Sequence, residues 1–428
     1  MSGCLPRCRY LQRSPDSFPV PGSIDPPVSF RHLRRLTDDT GILEHAVGPV
    51  PRRKDGYSTD DQARALWACL WWLEELPGEP SLSLQPMIDT YMSFLLWAQL
   101  ENGHFHNNFA YDRSRETELP SDDCLGRCLW AAALAWSHDR DRDEGRRMAA
   151  EQLIRPALGR LREIRYPRGA AYALAALSHL IRSGFPGRPG RIGPSDGSER
   201  IERSERPGDP ERLHDLANAM SGMLIRSYRK HAASEWRWFE PEMTYSNGIL
   251  PWGLLSGYDA LRADQRRVDR QLADQRRDGR AAVGDTKDSA PLCRELLEVG
   301  LESLDFLIRI MTDEQGRIRP VGNRGWCNPR FRAKWDQQPI EVMKLALATF
   351  KAYRLTGRES YADVVRRCRG WFYGENDCGM PMCDPSEGSG YDGLGENGRN
   401  VNRGAESTIS YLLTEVLYRK LMRENGKR

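Results

Sequence analysis

Residues 56–76 read GYSTDDQARALWACLWWLEEL. Ala63, Leu66, Trp67, Leu70 and Leu73 recur at three- and four-residue steps, which draws one apolar stripe along an α-helix. Ahead of the stripe, Thr59, Asp60 and Asp61 offer capping oxygens and negative charge where a helix exposes its unpaired N–H groups. A cap needs one oxygen, so the second carboxylate is left over. Adjacent carboxylates raise one another's pKa, which suits a general acid working near neutral pH.

The same periodicity returns down the chain, and strand-like alternation is nearly absent. Helical patterns cover 59–76, 83–101, 122–137, 145–164, 168–183, 210–231, 244–262, 291–312, 338–356, 358–373 and 404–423. Ser121, Asp122 and Asp123 open the third of these as Thr59–Asp61 open the first. With a short helix near 28–36, the count is that of six helical hairpins, so an all-α (α/α)6 toroid (a six-hairpin barrel) is expected over 28–428.

Two polar stretches, 185–209 and 263–289, are rich in charge, Gly or Pro and have no apolar face; both read as solvated insertions between hairpins. Residues 1–27 lack an apolar signal core and read as a disordered leader.

The chain has 428 residues, 39% hydrophobic and 29% charged, as a globular protein does. A net charge of +3 supplies no basic field for nucleic acid, and no apolar run reaches the ~20 residues that span a bilayer. Ten scattered cysteines read as reduced thiols, which points to the cytoplasm. Cys124 and Cys128 lie one turn apart, yet no further ligands follow at metal-site spacing, so no metal or other cofactor is expected. No phosphate-binding GxxxxGK[ST] or Rossmann GxGxxG pattern occurs, and Gly388-Ser389-Gly390 follows no strand that would make it a nucleophile elbow.

Chemistry is expected where the helical pattern breaks. Loops at 103–123, 235–249, 321–338 and 374–405 are rich in aromatic, acidic, Asn and Gly residues, more than a connector needs. LTDDTGILEHA (36–46) pairs Asp38 with Asp39, about twenty residues before Asp60 and Asp61. ENGHFHNNFAYDR (101–113) carries His104, His106, Asn107 and Tyr111, suited to sugar hydroxyls, and leads to Asp122 and Asp123.

EWRWFEPEMTYSNGILPWGLL (235–255) sets Trp236 and Trp238 beside Glu240 and Glu242, with Tyr245 and Asn247 after them. Indole faces stack on the C–H faces of sugar rings. One of the two tryptophans is expected in the core, and Trp238 is the candidate sugar platform. RPVGNRGWCNPRFRAKWDQQPIE (319–341) presents Asn323, Trp326, Asp336, Gln337 and Gln338, and the segment 382–408 closes on Asn402 and Glu406 at a helix start. Glu406 also fits a capping box.

Taken in order, LTDDTGILEHA, GYSTDDQARAL, FHNNFAYDR, SDDCLGRCLWA, WFEPEMTYSNGILPWGLL, DQQPIE and NRGAESTISYLL resemble a bacterial domain often fused behind a glycosyltransferase, over residues 30–424 or so. That domain is similar to the six-hairpin glycosidases and N-acylglucosamine-epimerase-like toroids. The resemblance implies a carbohydrate ligand. These residues hold no glycosyltransferase domain, so transferase chemistry is not implied.

The leading expectation is a glycoside hydrolase-like enzyme acting on an oligosaccharide. Asp60 or Asp61 would work with Glu240, and Glu406 is the third catalytic candidate. Carboxylates ~6.5–9.5 Å apart would invert the anomeric centre and a pair ~5 Å apart would retain it. Trp238, Trp326, His106 and Tyr245 would hold the sugar. Two alternatives stand beside it: a sugar epimerase or isomerase using His104 and His106 as bases, and a non-catalytic glycan-binding partner of a separate glycosyltransferase.

Overall fold

The computed structural model describes residues 28–76, 83–139, 142–185, 210–277 and 290–426. The expected leader, residues 186–209 of the first expected insertion and 278–289 of the second lie outside these residues.

Twelve α-helices are present among the described residues: α1 (Arg31–Leu36), α2 (Thr59–Leu73), α3 (Gln85–Ala98), α4 (Asp122–His138), α5 (Glu144–Leu158), α6 (Pro167–Ser183), α7 (Pro210–His231), α8 (Ile249–Arg277), α9 (Ala290–Ile310), α10 (Pro339–Thr356), α11 (Glu359–Phe372) and α12 (Ala405–Asn425). The even-numbered helices form an inner ring. Each packs on the next, from α2 through α4, α6, α8 and α10 to α12, and α12 closes the ring against α2. Odd-numbered helices lie outside, with α1 beside α12. The molecule is an (α/α)6 toroid.

The two rings differ in sequence because they differ in surroundings. Outer α5 buries only one stripe, Ala150, Leu153, Ile154, Ala157 and Leu158. Inner α4 is buried without a break from Asp123 to Trp136, because it meets neighbours on both sides, an outer helix behind and the ring interior in front. Such crowding selects small residues. A Cβ at Gly126 of α4 would stand 2.7 Å from the Gly169 carbonyl oxygen of α6, so the two backbones approach only because both positions are glycine.

Helix ends follow ordinary chemistry, with one correction. The N-cap of α2 is Ser58, whose Oγ accepts from the Asp61 amide at 3.3 Å; Thr59, Asp60 and Asp61 are already helical. The cap is supplied one residue earlier than expected, which releases both carboxylates from capping. Pro167 opens α6 and Pro339 opens α10, while Gly184 and Gly357 end them in the left-handed conformation. A second correction concerns 263–289: α8 continues through its first half to Arg277, and 278–289 lie outside the described residues.

Among the described residues, five two-stranded ribbons decorate the segments between helices: Ala46–Val47 with Val50–Pro51, Tyr57–Ser58 with Asn108–Phe109, Cys327–Asn328 with Phe331–Arg332, Cys383–Asp384 with Ser389–Gly390, and Gly393–Gly395 with Gly398–Asn400. Four of the long loops lead directly into the inner helices α4, α8, α10 and α12, and 37–58 leads into α2. Inner-helix N-termini and loop residues are thereby gathered at one mouth of the toroid.

Candidate active site at the amino-terminal mouth

A cavity of about 340 Å³ opens at this mouth. Its acidic lining comes from Glu44 in the first loop, Asp60 and Asp61 in the first turn of α2, Asp392 beside the last ribbon and Glu406 in the first turn of α12; Arg64, Asn107 and Gln338 complete the polar wall. The ring closure between α12 and α2 is what brings residues 60 and 406 together.

Ion pairs fix the carboxylates. The Arg64 guanidinium donates to Asp61 at 2.6 Å and stands 3.2 Å from Glu406. Arg127 of α4 pairs with Asp60, whose Oδ1 is left buried without a hydrogen-bond partner. Asp61 and Arg64 are sealed in, with 4% and 7% of their side chains exposed, whereas Glu406 is deep in the ring yet turns 40% of its side chain to the cavity.

Their acidities diverge accordingly. Burial pushes Asp60 up, but Arg127 and Arg64 outweigh it and hold its carboxyl below the usual range. Glu44 goes the other way: burial, reinforced by the Asp61 charge, raises it to about 7. Burial also raises Glu406, against the pull of Arg64. One cavity thus holds Asp60 kept ionised and a Glu44 carboxyl that keeps its proton toward neutrality.

Beneath the carboxylates lies a second layer. Lys344 of α10 is wholly buried, its Nζ 4.8 Å from the Trp67 ring centre and 5.0 Å from that of Tyr172, without a hydrogen-bond partner. Burial lowers it to about 8. Arg127 lies 5.1 Å over the same Tyr172 ring. Three cations, Arg64, Arg127 and Lys344, therefore balance Asp60, Asp61 and Glu406 in a small volume.

Other candidates sit apart from this cavity or serve the frame. Glu240 accepts from Arg168 at 2.9 Å and does not line the cavity. Arg168 lies over Tyr245, whose hydroxyl donates to Asp123, so Glu240, Tyr245 and Asp123 form a neighbouring cluster. Asp122 accepts the Arg165 and Tyr166 amides, at 2.7 and 3.0 Å, and pins the start of α6. Asn247 donates to the buried carboxylate of Glu341 at 2.8 Å.

Several sequence expectations are corrected by burial. Trp238 is fully buried against Phe239 and Phe306, Trp236 is buried too, and neither lines the acidic cavity or the recess beside it, so neither offers a platform to a sugar there. Their companions Phe239 and Phe306 lie far apart in sequence, and this closes the indoles into the core. Gln337 is also buried, accepting from Trp371 and donating to Asp377. Asp38 organises a turn, accepting the Thr40 and Gly41 amides and the Tyr57 hydroxyl, while Asp39 points to Arg113 at the surface.

The histidines are engaged elsewhere. His104 Nε2 is 3.4 Å from Glu163, and His106 lies between Glu118 and the Asn108 carbonyl, outside the cavity. Tyr111 stacks on Tyr57 at the exterior. Asn107 does reach the cavity and accepts the Asp60 amide through its side chain. Asn402 accepts the Gly48 amide. Asn323, Asp336 and Gln338 line an adjoining recess of about 530 Å³, which shares Gln338 and Asp392 with the acidic cavity; Trp326 lines neither.

Glu44, Arg64, Arg127, Lys344 and Asp392 were not singled out from the sequence. Glu44 and Arg64 lie inside the quoted stretches LTDDTGILEHA and GYSTDDQARAL, but no local pattern separates them from ordinary polar residues. Ser389, in the partial elbow motif, is buried and accepts from Arg403 at 3.0 Å.

No family model matches the chain, and no curated protein matches it significantly. Solved structures do. A cellobiose 2-epimerase from Bacillus thermoamylovorans aligns with a TM-score of 0.61 at 10% identity, over 92% of this chain and 96% of that one. A sugar epimerase from a ruminal bacterium gives 0.59 at 12% identity, over 91% and 95%. A GH76 α-mannanase from Bacteroides thetaiotaomicron gives 0.55 at 9% identity, over 92% and 95%.

What they share with this chain is the six-hairpin toroid. Epimerases and glycosidases both use that frame, so the chemistry must be argued from the cavity.

Proposed function

We propose that the protein is a carbohydrate-active enzyme that cleaves a glycosidic bond in the acidic cavity. One observation carries this reading: a single cavity sets Asp60, held ionised by two arginines, near Glu44, whose carboxyl is raised to about 7. Glycoside hydrolysis needs that division of labour between a proton donor and a permanently charged partner. Glu44 protonates the leaving oxygen. Asp60 keeps 20% of its side chain exposed beside its pairing with Arg127, and its carboxylate activates water or attacks the anomeric carbon. Asp61, almost sealed by Arg64, acts through its charge, which adds to burial in keeping Glu44 protonated. Glu406, Asn107 and Gln338 are the groups available to sugar hydroxyls, and the adjoining recess extends the cleft for a longer chain. The sugar-processing proteins that share the fold support the substrate class.

The test is an oligosaccharide panel with Glu44→Gln and Asp60→Asn. Each substitution lowers kcat by about 10²–10⁴-fold. A dinitrophenyl glycoside, whose leaving group needs no proton, restores Glu44→Gln but not Asp60→Asn. Full activity of both variants on natural substrate removes the proposal.

A second reading, epimerisation of a free sugar, is favoured by His45, which lines the same cavity with its Nε2 3.8 Å from Glu44. It predicts deuterium uptake from D₂O at the carbon beside the carbonyl, with no bond cleaved. His104 and His106 have no part in it. Sugar binding without turnover in either assay would leave glycan binding as the function.

A further inference from the structure

The inner helices also converge at their C-terminal ends, where a second cavity of about 330 Å³ lies inside the ring. Its lining comes from the C-terminal halves of α2, α4, α6 and α10, with Trp252, Ser256 and Asp259 from α8 and Lys420 from α12. None of its lining residues is shared with the acidic cavity.

We infer that this cavity is a binding site for a small anionic sugar, a sugar acid or a sugar phosphate, separate from the site of bond cleavage. Two features define the ligand. Trp130 and Trp252 meet edge to face at 4.8 Å in the wall, and Trp130 Nε1 is a buried donor without a hydrogen-bond partner. Indoles with an unused donor suit a ring that carries both C–H faces and oxygen atoms. The charge is the second feature. Arg182 and Lys351 converge on one oxygen of Asp259, so two cations share a single carboxylate and one positive charge is left over.

The other rim cations do not add to this excess. Lys420 and Arg423 together balance Glu74 and Glu75, and Arg354 has Glu424. The surplus is felt locally. His179, hydrogen-bonded to Ser137 at 2.6 Å in the same wall, is lowered to about 4 by burial and by Arg182 and Lys351. A carboxylate or phosphate entering beside Arg182 and Lys351 would complete the charge balance, and its sugar body would lie against the indoles.

The experiment is calorimetry with the full chain, using glucuronate, glucose 6-phosphate, inorganic phosphate and neutral glucose as probes. The expected order is one of the two anionic sugars at least tenfold tighter than both phosphate and glucose. Glucuronate ahead of glucose 6-phosphate identifies the sugar-acid class, and the reverse identifies the phosphate class. Arg182→Gln, at a side chain 43% exposed, removes the surplus charge and weakens the anionic sugar at least tenfold. Asp259→Asn adds to the surplus and tightens it. Glu406→Gln, at the opposite mouth, leaves it unchanged.

Equal binding of glucose and both anionic sugars overturns the inference. So does a matching loss in Arg182→Gln and Asp259→Asn when both variants melt as the native chain does, or loss in Glu406→Gln alone. Retained binding in Arg182→Gln overturns it as well.

Discussion

The Arg64 guanidinium lies 3.2 Å from Glu406, and this contact ties the first inner helix to the last at the seam of the ring. The same guanidinium donates to Asp61, so one buried cation serves two carboxylates from opposite ends of the chain.

Replacing Arg64 with methionine keeps most of the volume and strands Asp61, whose side chain is 4% exposed. Removing one partner of a buried pair costs about 3–5 kcal/mol. The urea midpoint of Arg64→Met should fall accordingly, with an unchanged m-value. An unchanged midpoint would mean that the seam is held by apolar packing alone.

Glu44 supplies a pH signature. Its carboxyl is raised from 4.5 to about 7, so hydrolysis that uses it as an acid should lose rate as pH rises through 7. The stability sign is the same. The folded state binds this proton more tightly than the unfolded chain, so the contribution is complete below pH 4.5 and disappears as pH rises to 7. In Glu44→Gln both the alkaline limb and this part of the stability profile should vanish, which paired pH–rate and pH–melting series would reveal.

Lys344 predicts the opposite slope. Burial lowers it from 10.5 to about 8, so the unfolded state holds the proton more tightly and stability rises between pH 8 and 10.5. Lys344→Met removes a desolvated ammonium, so it should be more stable than the native chain at neutral pH and should lose that rise. Because the cation balance under Asp60 and Glu406 is disturbed, kcat should fall in the same variant. A variant of native stability and native rate would show that the ammonium is solvated.

Ser58→Ala removes the N-cap hydrogen bond to the Asp61 amide of α2 and should cost about 1 kcal/mol. Calorimetric melting measures the cost. If Asp60 and Asp61 hold their positions through Arg127 and Arg64, the variant keeps most of its activity despite the lower Tm.

Gly388 has a φ of +72°, and a Cβ there would fall 1.6 Å from the Ser29 carbonyl oxygen. Gly388→Ala should therefore cost more than the ~1 kcal/mol of an ordinary left-handed penalty, since the 28–30 segment must also move. A melting temperature within a degree of the native one would contradict the close approach.

Periodicity revealed the helices because each inner or outer helix writes its environment into its own spacing. The stripe of α2, the cap chemistry before α4, and the proline and glycine bounds of α6 and α10 are all local facts. The candidate site was legible only in part. Asp60, Asp61 and Glu406 stood out as surplus carboxylates at helix starts, and the structure does gather them in one cavity. Glu240 and Trp238 stood out for the same compositional reasons, yet one is claimed by Arg168 and the other by Phe239 and Phe306. Both claims come from residues far away in the chain or from core packing that composition does not reveal.

Helix number, order and polarity were thus written along the chain, because helix formation depends on neighbours three and four positions away. Which carboxylates share a cavity, which keeps its proton and which is held ionised were set by closure of the ring. Acidity depends on burial and on charges within a few ångströms, and here Arg64 and Glu406 are separated by most of the chain until α12 docks on α2.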